Sequence, residues 1–89
     1  MPRVSFTPNL RRHLAVDTLE VEGTTVREML EEVFRLQPGL RSYIVDDQVS
    51  LRKHMGIFLN NELIRDRVGL SDSVGPDDEI HVMQALSGG

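Results

Sequence analysis

The chain has 89 residues, of which 39% are hydrophobic and 27% are charged, and its formal net charge at pH 7 is −4. This length allows one small domain with a modest core. The sequence has no cysteine, which excludes disulfides, thiolate zinc sites and cysteine nucleophiles. The acidic balance disfavours nucleic-acid binding, which generally uses a basic patch, and favours basic surfaces on protein partners.

The first third of the sequence predicts two strands. Residues 3–7 and 18–22 each alternate between apolar and polar side chains, which is the pattern of a half-buried strand. Pro8-Asn9 breaks the first run, and Leu10 to Asp17 follows no clear period. We therefore expect a hairpin whose inward side chains are Val4, Phe6, Leu19 and Val21.

The next segment predicts the main helix. Thr25 and Glu28 have the spacing of a capping box. Pro38-Gly39 is expected to end the helix, with the glycine suited to a left-handed cap. Leu40 and Ile44 are expected to fold back onto the core in a short helical turn. The apolar stripe of the helix consists of Val26, Met29, Leu30, Val33 and Phe34.

The second half of the sequence predicts a polar surface loop followed by three strands. The loop spans Asp46 to Lys53, and the strands span residues 55–59, 62–65 and 79–84. The turns between them are predicted at Asn60-Asn61 and at Gly75-Pro76-Asp77-Asp78. Leu70 and Val74 are expected to be single apolar anchors in the connecting loop. Strand alternation directs Met55, Ile57, Leu59, Ile80 and Val82 inward, and Phe58, His81 and Met83 to the opposite face.

This element order predicts an α+β fold of the β-grasp, ubiquitin-like type. The sheet would be mixed and four- to five-stranded, with the first and last strands parallel and central, and one main helix would cover one face. We expect residues 1–84 to form the domain and residues 85–89 to form a flexible tail that ends in Gly-Gly.

The sequence contains no strong catalytic or metal motif. His13, His54 and His81 have no partner at ligand spacing. Asp46-Asp47 and Asp77-Asp78 lie beside turn signals, where aspartate usually caps backbone groups. No serine–histidine–aspartate set or glycine-rich phosphate loop is evident, so we expect neither an enzyme nor a metal site. The sequence also shows no signal-peptide core and no bilayer-spanning run, so we expect a cytoplasmic protein.

Several segments together resemble the ThiS/MoaD family of ubiquitin-like sulfur carriers. Their order and spacing carry the resemblance, and the long segment between Gly39 and Met55 is closer to the MoaD-like branch, which includes carriers for cysteine synthesis. The chain departs from the family pattern at Gly56, where asparagine is frequent. The matching segments are Leu10 to Arg12, Val21 to Leu30, Pro38 to Arg41, Ile57 to Glu62, Ile64-Arg65, Pro76 to Ile80 and Ala85 to Gly89.

The resemblance implies a sulfur carrier that performs no catalysis and binds no cofactor. A ubiquitin-activating-like enzyme would use ATP and Mg²⁺ to adenylate the Gly89 carboxylate. A sulfur donor would then leave a thiocarboxylate at Gly89. A partner enzyme would consume that sulfur, for example in molybdopterin or cysteine assembly.

The resemblance also implies roles for the tail. Gly89 would carry the acyl group, Gly88 would give clearance for threading, and Ala85, Leu86 and Ser87 would extend the reach. Phe58 and Met83 are candidates for an apolar docking patch, unless loops cover them. Two alternatives remain open: a ubiquitin-like modifier joined through Gly89 to lysines of other proteins, and an interaction module with an idle tail.

Overall fold

The computed structural model of the protein describes residues 1–6 and 18–84. Its strands are β1 (Arg3–Phe6), β2 (Thr18–Glu20), β3 (Met55–Leu59), β4 (Glu62–Leu63) and β5 (Glu79–Gln84). Helix α1 spans Val26–Leu36, and a 3₁₀ turn at Pro38–Leu40 leads into the short helix α2 (Arg41–Ile44). The predicted α+β, β-grasp architecture is confirmed.

The five strands form one mixed sheet in the order β2-β1-β5-β3-β4. Strands β1 and β5 are parallel and lie next to each other, as the sequence predicts, while the other pairs are antiparallel. Directly opposed residues share a face, so the register forms two apolar rows that pack on the helical layer. These rows are Leu19, Val4, Ile80 and Leu59, and then Phe6, Val82 and Ile57.

Helix α1 packs its apolar stripe into this core, and all five predicted residues of the stripe are buried. The Thr25 hydroxyl caps the helix by accepting a hydrogen bond from the Glu28 backbone N–H at 3.1 Å. In a capping box the Glu28 carboxylate would also accept a hydrogen bond from the Thr25 backbone N–H. This half of the prediction is wrong by one residue. The Glu28 carboxylate accepts hydrogen bonds from the Thr24 backbone N–H at 2.8 Å and the Thr24 hydroxyl at 2.9 Å, and these bonds lower the Glu28 pKa.

The chain enters α1 through a position that only glycine fits without adjustment. A Cβ atom on Gly23 would lie 3.0 Å from both the backbone nitrogen and the Cγ atom of Met29. The Met29 side chain is completely buried, so neither atom has free space to move into. Gly23 therefore sets how closely the β2–α1 connection approaches the helix.

The predicted glycine cap of α1 is wrong. The C-cap is Gln37, which has extended φ, and no glycine of the described residues has positive φ. Pro38 instead begins the 3₁₀ turn, where its missing N–H costs nothing. The predicted fold-back of Leu40 and Ile44 is confirmed, since both side chains are buried.

The segment predicted as a polar surface loop is partly core. Leu51 is buried, forms a bridge with Val45 and donates its N–H to the Arg67 carbonyl at 2.8 Å. Val49 also packs against the core, with φ of 61°. Asp46 caps this loop, as expected, by accepting hydrogen bonds from the N–H groups of residues 48 and 50.

Two predicted strands end earlier in the structure than in the sequence pattern. Strand β2 ends at Glu20, although Val21 still faces the core. Strand β4 ends at Leu63, because the N–H groups of Arg65 and Asp66 donate to the Asp72 carboxylate at 2.9 and 2.8 Å. The predicted anchors Leu70 and Val74 are both buried.

Candidate functional site

The predicted reactive residue, Gly89, lies outside the described residues, as do Ala85, Leu86, Ser87 and Gly88. The described part of β5 ends at Gln84, which pairs with Met55 of β3. Strand β5 is central, with β1 on one side and β3 on the other. Residues 85–89 therefore follow directly from the central strand of the sheet.

The sheet face opposite α1, called here the outer face, carries the predicted docking residues. Phe58 and Met83 both lie on it and are half-buried, so their predicted direction is confirmed, while their docking role stays a prediction. His81 lies between Ser5 and Phe58, and Gly56 lies beside Met83. The outer face comprises Arg3, Ser5, Thr18, Glu20, Gly56, Phe58, Leu63, Glu79, His81 and Met83.

Leu63 is an outer-face residue that the sequence reasoning missed. It pairs directly with Phe58, and its side chain is 61% exposed. The signal was present, because a two-residue turn at Asn60-Asn61 pairs Leu59 with Glu62 and therefore Phe58 with Leu63. Half-buried Phe58 and exposed Leu63 thus form an apolar pair at the β3–β4 side of the outer face.

A shallow recess next to Phe58 has a volume of about 340 Å³, opens to solvent, and is lined by Phe58, Asn60, Asn61, Glu79 and His81. A separate groove of about 470 Å³ lies along α1. The recess gives the outer face a shallow concavity next to Phe58.

The β3–β4 hairpin that carries this pair is fastened to the start of β5. Asn60 takes φ of 57° in the turn, as the sequence predicts for an asparagine. Its side-chain amide donates to the Asp78 carboxylate at 3.2 Å, and its side-chain oxygen accepts from the Glu79 N–H at 3.1 Å. The Gly75 N–H, followed by the Asn60 amide, lowers the Asp78 pKa. The predicted capping role of Asp78 is confirmed.

The two ends of the sheet differ in polarity. At the end remote from Gln84, Arg3 lies between Glu20 and Glu79, and the Ser5 hydroxyl donates to the Glu79 carboxylate. At the other end, Met83 faces Gly56, where an added Cβ would make only ordinary contact with Met83. The less polar end is therefore the one from which residues 85–89 continue.

The described residues hold no group of three or more histidine, aspartate or glutamate side chains arranged for a metal ion. His54 is exposed in a turn and His81 lies on the outer face, while His13 is outside the described ranges. In the part of the chain that the structure describes, no helix has the length and apolar character needed to cross a membrane.

Comparisons with known proteins agree with this geometry. The sequence model of the ThiS family matches residues 7–89. A chain in the crystal structure of the Amycolatopsis orientalis BexX/CysO complex is 27% identical, with a TM-score of 0.88 and 100% coverage of both chains. Small archaeal modifier protein 1 from Methanosarcina acetivorans is 28% identical, with a TM-score of 0.84 over 99% of this chain and 95% of that chain.

A third structure supports the fold alone. CysO from Mycobacterium tuberculosis is 20% identical, with a TM-score of 0.84 over 97% of this chain and 100% of that chain. No curated protein sequence gives a significant match. Because the family match covers nearly the whole sequence, the chain belongs to the ThiS family of small ubiquitin-like proteins.

Proposed function

We propose that this protein is a sulfur carrier whose Gly89 carboxylate is adenylated and then converted to a thiocarboxylate. The observation that carries the proposal is the ThiS family match, which extends through Gly89. The similarity over both full chains to a chain of the BexX/CysO complex supports it. The sulfur would pass to a biosynthetic enzyme that makes molybdopterin, cysteine or another sulfur-containing metabolite.

The chemistry needs an activating partner, because a free carboxylate has no good leaving group. A ubiquitin-activating-like enzyme would join the Gly89 carboxylate to AMP, using ATP and Mg²⁺ and releasing pyrophosphate. A sulfur donor would then attack the carbonyl carbon, forming a C–S bond as the C–O bond to AMP breaks. The thiocarboxylate is a strong nucleophile that is best used in a site closed to water.

The carrier would supply position and access, and no catalytic group of its own. Gly88 and Gly89 have no side chains, so the end of the chain can enter a narrow channel. The folded body would remain outside and dock through the outer face. Phe58, Leu63 and Met83 would supply the apolar contact there. We also propose that the carrier and its activating enzyme meet in the cytoplasm.

Deleting Gly89 tests the proposed site. We expect the deletion to abolish ATP–pyrophosphate exchange catalysed by a ubiquitin-activating-like enzyme of the same organism. The midpoint of thermal unfolding should stay nearly unchanged, because chain termini rarely contribute to a core. The control Ser87→Ala keeps the terminal carboxylate and should retain exchange. Equal exchange with the deletion and the full chain would refute Gly89 as the site.

A second function, a ubiquitin-like modifier, is favoured by the 28% identity to small archaeal modifier protein 1. Both functions begin with adenylation, and they differ in what attacks the activated carbonyl. Proteolysis of a cell extract followed by peptide mass spectrometry separates them. Abundant peptides that join Gly89 to lysines of other proteins would favour the modifier, and their absence alongside sulfur at Gly89 would favour the carrier.

A further inference from the structure

Lys53 carries the only side-chain amine in the sequence. The ten lysine and arginine residues of the sequence include only this one lysine. A guanidinium stays protonated and does not act as an acyl acceptor, whereas a lysine amine becomes a nucleophile when it loses its proton. An activated carboxyl group would therefore find two amines in one copy of the chain, Lys53 and the N-terminal amine.

Lys53 lies at the tip of a tight, well-anchored turn. The Met55 N–H donates to the Arg52 carbonyl at 3.0 Å, which makes Lys53 and His54 the central residues, and both are exposed. Arg67 donates to the carbonyls of Arg52 and Met55, each at 2.8 Å. The backbone of the turn is thus held, while the Lys53 ammonium has no hydrogen bond or ion pair among the described residues.

The sheet register places this turn beside the point where residues 85–89 begin. Met55 pairs with Gln84, the residue immediately before them. The N-terminus lies at the other end of the sheet, because Arg3 pairs with Glu79, the first residue of β5. The length of β5, about 17 Å at ~3.3 Å per residue, therefore separates the two amines.

The reach of the last five residues favours Lys53. An extended chain covers at most about 3.6 Å per residue, so these residues span up to roughly 18 Å. The Cα atom of Lys53 lies within about 13 Å of that of Gln84, since the paired Cα atoms of Met55 and Gln84 are about 5.5 Å apart and Lys53 is two steps of about 3.8 Å from Met55. To reach the N-terminal amine, the chain would have to run back along all of β5.

The geometry points to Lys53 as the acylation site of this chain, where an activated Gly89 closes an internal amide. The inference rests on the proposed activation of Gly89. The neutral Lys53 amine attacks the Gly89 carbonyl carbon, the C–N bond forms, the C–O bond to AMP breaks, and the amine proton passes to water. The closed chain has no terminal carboxylate and is withdrawn from sulfur transfer.

The test supplies the activation chemically and needs no enzyme. The full chain is prepared as a Gly89 thioester by intein cleavage with a small thiol, and is then incubated at pH about 9. The amine displaces the thiol as the C–S bond breaks. We expect a monomer lighter than the free acid by one water, with a peptide joining Lys53 to Gly89. Both amines compete for the same thioester, so the site of acylation shows whether the geometry selects Lys53.

Two variants control this test. Lys53→Arg keeps the charge and removes the nucleophile, and Lys53→Arg combined with Arg3→Lys moves the lysine to the far end of the sheet. Both should give at least about tenfold less closed product than the native chain, because they lose the proximity of the amine. Equal closure in either variant, an amide at the N-terminus, a dimer, or hydrolysis alone would overturn the inference. None of these results would affect the Gly89 adenylation measured by ATP–pyrophosphate exchange.

Discussion

At the scale of single residues, Asp66 organises the loop that follows β4. Its carboxylate accepts hydrogen bonds from the N–H groups of Val68, Gly69 and Ser71, and from the Ser71 hydroxyl at 2.6 Å. The Ser71 hydroxyl and the Gly69 N–H are the main groups that lower the Asp66 pKa from 3.8 to about 2. This loop connects β4 to the buried anchor Leu70.

The lowered pKa of Asp66 predicts an acid-sensitive contribution to stability. Its pKa is lower in the folded state, so the contribution is complete above the unfolded value of 3.8 and is lost as the pH falls toward about 2. Asp66→Asn should lower the urea midpoint at neutral pH and flatten its decline over this acid range. Asp47→Asn, in an exposed loop position, should change neither. Parallel profiles for Asp66→Asn and the native chain would contradict this role.

Leu63 provides the residue-scale test of the outer face. Leu63→Glu places a charge in the proposed apolar docking pair and should reduce activation by a partner enzyme at least about tenfold. Stability should change by less than about 0.5 kcal/mol, because the side chain is mostly exposed. The control is Val68→Glu, since Val68 is 72% exposed and lies in the loop after β4. Equal kinetics for the two variants would argue against docking through this pair.

At the scale of elements, the start of α1 allows a comparison of two neighbouring threonines. Thr25→Ala removes the cap acceptor of the Glu28 N–H and should lower the free energy of unfolding by about 1 kcal/mol. Thr24→Ala leaves the backbone bond to the Glu28 carboxylate in place and should cost less than about 0.5 kcal/mol. Urea unfolding measures both values, and a larger loss for Thr24→Ala would reverse the assignment.

The elements also show what the sequence could predict. The stripe of α1 was predictable because five apolar residues repeat at the helical period, and the hairpin at Asn60 was predictable from its turn chemistry. The end of β4 was not, since it depends on side-chain bonds from Asp72, six to seven residues further along the chain. The burial of Leu51 was missed for a similar reason, because its partners Val45 and Arg67 come from separate segments.

At the scale of the whole molecule, the order of elements was enough to predict the central parallel pair β1 and β5. The candidate site was only partly predictable. Phe58 and Met83 followed from alternation, whereas the closeness of Lys53 to the start of residues 85–89 depends on the pairing of Met55 with Gln84. Such juxtapositions arise from strand register, which a periodic pattern in one strand does not specify.

The proposed carrier function concerns Gly89, at the end of the chain, and is tested by mass spectrometry. The full chain is incubated with a ubiquitin-activating-like enzyme, ATP, Mg²⁺ and a sulfur donor, and its C-terminal peptide is then analysed by mass spectrometry. We expect one oxygen to be replaced by one sulfur at Gly89, and no replacement without ATP. An unchanged mass under conditions in which ATP–pyrophosphate exchange proves adenylation would contradict the sulfur-carrier function.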